Sequence, residues 1–144
     1  MSNEKPSINV VAAAIERNGM NGRKEYFTAQ RDHGDLKGFY EFPGGKIEAG
    51  ETAEDAIRRE IREELKAEIE VGEPIDTIDY DYPTFHLHMK VFECRLITER
   101  ITLTEHMNAK WLTADDFDGI MFAPADGIVA EAIRRKEVAG NDDT

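Results

Sequence analysis

Gly44-Gly45-Lys46-Ile47-Glu48-Ala49-Gly50-Glu51, running straight into Thr52-Ala53-Glu54-Asp55-Ala56-Ile57-Arg58-Arg59-Glu60-Ile61-Arg62-Glu63-Glu64-Leu65, is the stretch that decides how this chain folds. Thr52 has the chemistry of a helix N-cap. Asp55, three residues on, stands where the acidic partner of a capping box belongs, so a helix is predicted from there to about Leu65. The glycines and Glu51 then lie in the loop that feeds it. At roughly 100° per residue, Ile57, Ile61 and Leu65 form a narrow apolar stripe, the face such a helix turns to a core. Glu54, Asp55, Arg58, Arg59, Arg62 and Lys66 follow on a solvated arc.

Glu60, Glu63 and Glu64 cluster within about 100° on the remaining side, between Ala53 and Ala56. Like charges at this spacing lower helix stability by a few tenths of a kcal/mol per pair. A divalent cation reverses that sign. Hard cations such as Mg²⁺ take carboxylates, waters and substrate phosphates as ligands, so the patch suits metal-bridged phosphate chemistry. The small alanines leave room for a backbone segment to approach the same face.

Gly45, Glu51, Arg59, Glu60, Ile61, Glu63 and Glu64 resemble, position by position, the signature of the Nudix hydrolases. One position departs from it. The glycine expected two residues after Glu64 is Lys66, and the next residue is only Ala67. If that position takes a left-handed backbone, lysine costs about 1 kcal/mol there. The resemblance extends over roughly Ile8 to Ile133 and is nearest the MutT-like nucleoside triphosphate pyrophosphohydrolases. Phe39-Tyr40-Glu41-Phe42-Pro43 leads into the glycines, and Glu105-His106, Trp111-Leu112 and Ala123-Pro124-Ala125-Asp126 recur downstream. Ile8 to Ala14, His86-Leu87-His88 and Pro124-Ala125-Asp126 are more similar to the cytidine triphosphate type than to the oxidised-guanine type.

The resemblance implies an α+β domain in which a mixed sheet lies between helices, an α/β/α sandwich. It implies hydrolysis of a nucleoside triphosphate to the monophosphate and pyrophosphate, with Mg²⁺ as cofactor, Mn²⁺ as a substitute, and CTP or dCTP favoured. Its alternatives are oxidised dGTP, a nucleoside diphosphate derivative such as a nucleotide sugar, or a non-catalytic nucleotide-binding module. Glu60, Glu63 and Glu64, with the backbone carbonyl of Gly44, would hold the metals. Arg59 would brace the carboxylates and Glu51 would assist. Glu105 would act as general base or as a ligand through water. Arg31 and Lys46 would meet phosphates, one as a bidentate donor and the other as a compact charge. Gly45 and Phe42 would line the substrate site, and Asp126 would read the base, although Asp at that point also suits a helix N-cap. His86, His88 and His106 could suggest a transition-metal site, but two alternating histidines on a strand more often pack or contact substrate, and zinc is not expected.

Composition bounds the rest. At 144 residues the chain is long enough for one domain that buries about two-thirds of its extended surface. The expected core spans about 8–137, with a frayed tail over 138–144. A net charge of −12 argues against long nucleic acids as partners, because these are held through basic surfaces. No apolar run could cross a bilayer, and Met1-Ser2-Asn3-Glu4-Lys5-Pro6 lacks a secretion signal, so a cytoplasmic monomer or homodimer without a membrane partner is expected. Cys94, the one cysteine, reads as a small buried hydrophobe in a reducing compartment.

Ile8 to Ile15 and Glu25 to Arg31 read as strands around a turn at Asn18 to Gly22. Ile69 to Ile78 is extended and broken by Gly72 and Pro74. From Phe85 a half-buried alternation shifts phase at Phe92, through a bulge or burial on both faces. Asn108 to Leu112 is a short strand, Thr113 with Asp116 caps a helical turn, and Ala125 to Lys136 has helical spacing.

Overall fold

The computed structural model describes residues 5–142. Its central strand, β1 (Ser7–Asn18), owes its place to the run Val11-Ala12-Ala13-Ala14-Ile15, all five of them buried. Successive strand residues point to opposite faces. Val11, Ala13 and Ile15 therefore enter one core while Ala12 and Ala14 enter the other. A continuous apolar run is what a strand covered on both sides requires.

Around β1 lie β2 (Lys24–Arg31), β3 (Tyr40–Glu41), β4 (Gly44–Lys46), β5 (Ile69–Tyr82), β6 (Phe85–Leu96) and β7 (His106–Leu112). The order is β3-β2-β1-β6-β5, with β4 also paired to β1 and β7 to β2. β1 and β6 run parallel, from Ser7 opposite His86 to Ile15 opposite Cys94. The other pairings are antiparallel. The second edge of β1 is divided: Val10 to Ala12 pair with β4, and Glu16 to Asn18 with β2.

Helix α1 (Ala53–Leu65) covers one face, with Ala56, Ile57, Ile61 and Leu65 packed against Val11, Ala13, Ile15 and Phe27. Helix α2 (Pro124–Asp142) covers the other through Val129, Ala130 and Ile133. This is the expected α+β arrangement of a mixed sheet between helices. The phase shift on β6 is burial on both faces: Leu87, Met89 and Val91 face the α2 core, and Phe92 and Cys94 the α1 core. The irregularities of the β5–β6 pairing fall on β5, at Val71/Pro74 and Pro74/Asp76. Among the described residues no helix is long and apolar enough to cross a membrane.

Three local expectations need correction. The Thr52 cap forms, its hydroxyl accepting the Asp55 N–H at 3.0 Å, but the Asp55 carboxylate accepts from Arg58 at 3.3 Å, so the box is one-sided. Asp126 is no N-cap, because α2 starts at Pro124 and Asp126 falls inside its first turn. The helix also continues to Asp142, so residues 138–142 extend it where fraying was expected. The leader reading at residues 1–4 and the tail at 143–144 lie outside the described residues.

Candidate active site

Helix α1 places the acidic face, and its two ends fix the loops around it. At the start, Gly44 in β4 packs so closely on β1 that a Cβ would lie 1.9 Å from the Val11 carbonyl oxygen. A Cβ on Gly45 would lie 2.4 Å from Cδ of Glu60. At Gly44 the obstacle is fixed β1 backbone, which demands glycine, whereas at Gly45 a Cβ would push the Glu60 carboxylate aside. At the other end Lys66 holds the left-handed backbone (φ 53°) despite its side chain, and its N–H donates to the Arg62 carbonyl at 3.1 Å. The neighbouring carbonyls are taken up by Thr104, whose hydroxyl donates to Glu64 O at 2.9 Å and whose N–H donates to the same oxygen at 3.1 Å. That tie delivers Glu105 to the acidic face.

Arg59 is the hub of the loop side. Its Nε and Nη2 donate to the two oxygens of Glu51 at 2.7 and 2.9 Å, and its Nη1 donates to Glu60 at 2.8 Å and Glu63 at 3.2 Å. Nη2 also donates to the Lys46 carbonyl at 2.9 Å. The guanidinium, with the Glu48 N–H, holds the Glu51 carboxyl down to about 2. Fork geometry of this kind fixes carboxylates in direction as well as in charge.

The three glutamates of the acidic face differ in depth. Glu63 is 56% exposed in its side chain, Glu60 only 16%, and Glu64 is 5% exposed overall. Burial raises the Glu60 carboxyl, opposed by Arg59. Burial pushes Glu64 up to about 9, helped by Glu60, Glu41 and Glu105, against a weaker pull from the Gly44 backbone. A site that raises neighbouring carboxyls by desolvation and mutual repulsion is suited to a cation.

Beneath this face opens a cavity of about 460 Å³. Of the residues expected from sequence, Arg31, Phe42, Gly44, Gly45, Glu60, Glu64, Glu105 and Asp126 line it together. Glu51, Arg59 and Glu63 stand behind or beside that lining, and Lys46 is exposed on β4. Asp126 is buried, one oxygen accepting the Phe42 N–H at 2.9 Å, and burial with Glu41 nearby pushes its carboxyl up to about 8. Asp126 is therefore ionised, and limited to accepting hydrogen bonds, only above that pH. Phe42 stacks on Phe122 with centroids 5.4 Å apart, so its ring is part of the wall.

Two polar residues here were not assigned to the site from sequence: Glu41, and His106, which was weighed as a transition-metal candidate and set aside. Glu41 accepts from Arg31 Nη1 at 3.0 Å and lies 2.8 Å from His106 Nε2. Glu41 stood in the quoted Phe39 to Pro43 stretch, and His106 followed Glu105, so both were visible in the sequence without a reason to meet. The apolar wall of Tyr82, Phe85, Leu87 and Met89 was equally unassigned. Glu41, Glu64 and His106 each offer a ligand atom within 4.8 Å of the others. Three buried side-chain polar atoms among the described residues lack a partner: Arg31 Nε, Glu64 Oε2 and His106 Nδ1.

Residues 13–132 match the NUDIX domain family, and the chain belongs to the Nudix hydrolases. It is 33% identical over 126 residues to a CTP pyrophosphohydrolase of Escherichia coli, covering 87% of this chain and 90% of that one. It is 34% identical over 97 residues to an 8-oxo-dGTP diphosphatase of Proteus vulgaris, covering 67% and 80%. The solution structure of the Escherichia coli ORF135 protein superposes with a TM-score of 0.79 at 31% identity, covering 94% of both chains. The solution structure of MutT, a Nudix hydrolase, from methicillin-resistant Staphylococcus aureus gives 0.71 at 36%, covering 92% and 98%. This chain is accordingly an enzyme of that family, whose members use divalent metal and act on nucleotides.

Proposed function

We propose that the chain hydrolyses a nucleoside or deoxynucleoside triphosphate between the α and β phosphates, with Mg²⁺, to the monophosphate and pyrophosphate, and that CTP or dCTP is preferred. One observation carries this reading. A single cavity joins the carboxylates of Glu60, Glu64 and Glu105 to an apolar wall of Tyr82, Phe85, Leu87 and Met89 and to Asp126. Phosphates and a base need those two environments side by side.

The unpartnered, buried Glu64 Oε2 fits a cation. Glu60, Glu63 and Glu64, with the Gly44 carbonyl, would hold Mg²⁺ or Mn²⁺, which when bound neutralises phosphate charge and acidifies a coordinated water. The chain's own residues do the remainder. Arg59, anchored by Glu51, keeps Glu60 and Glu63 in direction. Arg31 and Lys46 draw the phosphates in, and Gly45 lets them approach the backbone. Glu105 takes the proton of the attacking water.

Asp126 reads the base beside Phe42. Cytosine pairs with a carboxyl in either state, through its ring N3 when the group is protonated and through its amine when it is ionised. Uracil and thymine set carbonyl oxygens on both sides of a single ring N–H. The preference for CTP over UTP should therefore widen as pH rises through about 8, where Asp126 ionises. The second reading is oxidised dGTP, supported by the relatives named 8-oxo-dGTP diphosphatase. The test is kcat/KM across CTP, dCTP, UTP, dTTP, dGTP and 8-oxo-dGTP, repeated on Asp126→Ala. No preference in the wild type, or an equal loss on every substrate in the variant, would refute base reading by Asp126.

A further inference from the structure

We propose that Glu41, Glu64 and His106 form a site for a borderline divalent cation of the Zn²⁺ or Co²⁺ class, sharing Glu64 with the all-oxygen face of Glu60 and Glu63 but adding the His106 imidazole to the ligand set. The three residues come from three elements. Glu41 on β3 and His106 on β7 are both held by β2, Glu41 opposite Ala29 and His106 opposite Arg31, where β2 carries a register shift. Glu64 comes from α1 on the other side. Their ligand atoms lie within 4.8 Å of one another, so shifts of side chains on a fixed backbone would bring them round one cation.

The polar groups of this triangle are left unfinished by the protein. Glu64 is 5% exposed and its Oε2 has no partner, while the His106 side chain is 3% exposed and its Nδ1 has none. A buried polar atom without a partner is costly to leave so. Arg31 Nη1 occupies Oε1 of Glu41 at 3.0 Å, which orients the carboxylate and leaves Oε2 toward His106. An outer partner of that kind fixes a ligand in direction. Imidazole decides which ion fits. Mg²⁺ takes oxygen ligands and keeps its waters, whereas Zn²⁺ and Co²⁺ accept nitrogen with carboxylate, three protein ligands leaving a fourth position open.

The other histidines supply an internal control. His86 and His88 lie on the exposed face of β6, His86 against Asp81 at 2.7 Å and His88 against Asp79 at 2.8 Å, and neither belongs to the triangle. The experiment uses the full chain, stripped of metal and labelled with ¹⁵N in its four histidine rings. Zn²⁺ is added with Mg²⁺ in large excess, followed by ring nitrogen resonances and by equilibrium dialysis. One equivalent is expected to bind and to shift the His106 ring alone, the resonance being assigned by its loss in His106→Gln. Glu41→Gln should weaken Zn²⁺ binding at least as much as loss of an outer partner does, about 10–100-fold, with an unchanged circular dichroism spectrum. If His106→Gln does not fold, dialysis of Glu41→Gln decides alone. A His106 ring unmoved at one equivalent, a first equivalent taken by His86 and His88, or undiminished binding by Glu41→Gln would each overturn the proposal. Nucleotide turnover with Mg²⁺ does not enter this test, so failure of the substrate reading and failure of the triangle are separately visible.

Discussion

Glu64→Gln in the metal-free protein isolates the cost of the buried carboxylate. Its ordinary value of 4.5 is pushed up to about 9 in the fold, first by burial and then by Glu60, Glu41 and Glu105. The folded state therefore holds a proton that the unfolded chain has released. The stability this contributes is fully present below about 4.5 and is lost as pH rises through about 9. Across the middle of that window one retained proton changes stability by about 1.4 kcal/mol per pH unit. From pH 5 to pH 7 the wild type should lose roughly 3 kcal/mol through this residue, a large share of the 5–15 kcal/mol typical of a domain. Glutamine has the shape of the protonated acid and does not titrate. In urea unfolding with chelator present, the variant should match the wild type near pH 5 and exceed it at pH 8. Asp126, pushed up to about 8, adds its own slope, as do Glu60, raised by burial, and His86, raised by Asp81 and Asp79, so adding Asp126→Asn should flatten the curve further without levelling it. Saturating Mg²⁺ should restore the wild type at pH 8 by about 2.7 kcal/mol at a hundredfold excess over Kd, and the variant by less. Parallel stability curves for wild type and Glu64→Gln from pH 5 to 8 would refute the reasoning.

The two glycines should fail in different ways. Gly44→Ala drives a Cβ into the β1 backbone at Val11 and should lower stability by about 1–3 kcal/mol, read from urea midpoints. Gly45→Ala meets the Glu60 carboxylate instead, so it should weaken Mg²⁺ binding by calorimetry more than it lowers the melting temperature. Lys66→Gly should raise stability by about 1 kcal/mol with turnover unchanged, because the left-handed backbone is already in place. Cys94, buried and pushed up to about 12, should react with a thiol reagent only on unfolding.

Helix α1 was legible because its signals are local: Thr52 caps it and Ile57, Ile61 and Leu65 repeat at its period. The helical wheel grouped Glu60, Glu63 and Glu64 in one arc without showing that the arc straddles the rim of the core. Glu64 is buried while Glu63 is largely exposed, because depth depends on what packs over the helix. Arg31, Phe42, Glu105 and Asp126 were found through resemblance, and the cavity does bring them together. Glu41 was given no role and His106 was set aside with the other histidines, so their pairing was not read. Their meeting depends on the register of β3 and β7 against β2 across 65 residues of chain, and no local pattern encodes that. Asp126 read as a cap from its Pro-Ala context, and only the placement of Phe42 beside it shows what its oxygen holds.

The parallel pairing of β1 with β6 has a consequence for how the chain is made. Ile8 lies opposite Leu87, so the most apolar strand emerges from the ribosome almost 80 residues ahead of the strand that will cover its edge. At about 5–20 residues per second that interval is roughly 4–16 s. Pairing over so long a separation is also slow once both strands exist. During that time only β2 and β4 are available to β1, and both pair along its other edge, at Glu16 to Asn18 and at Val10 to Ala12. The alanines at its centre give a sticky partner little side chain to grip while the nascent chain waits.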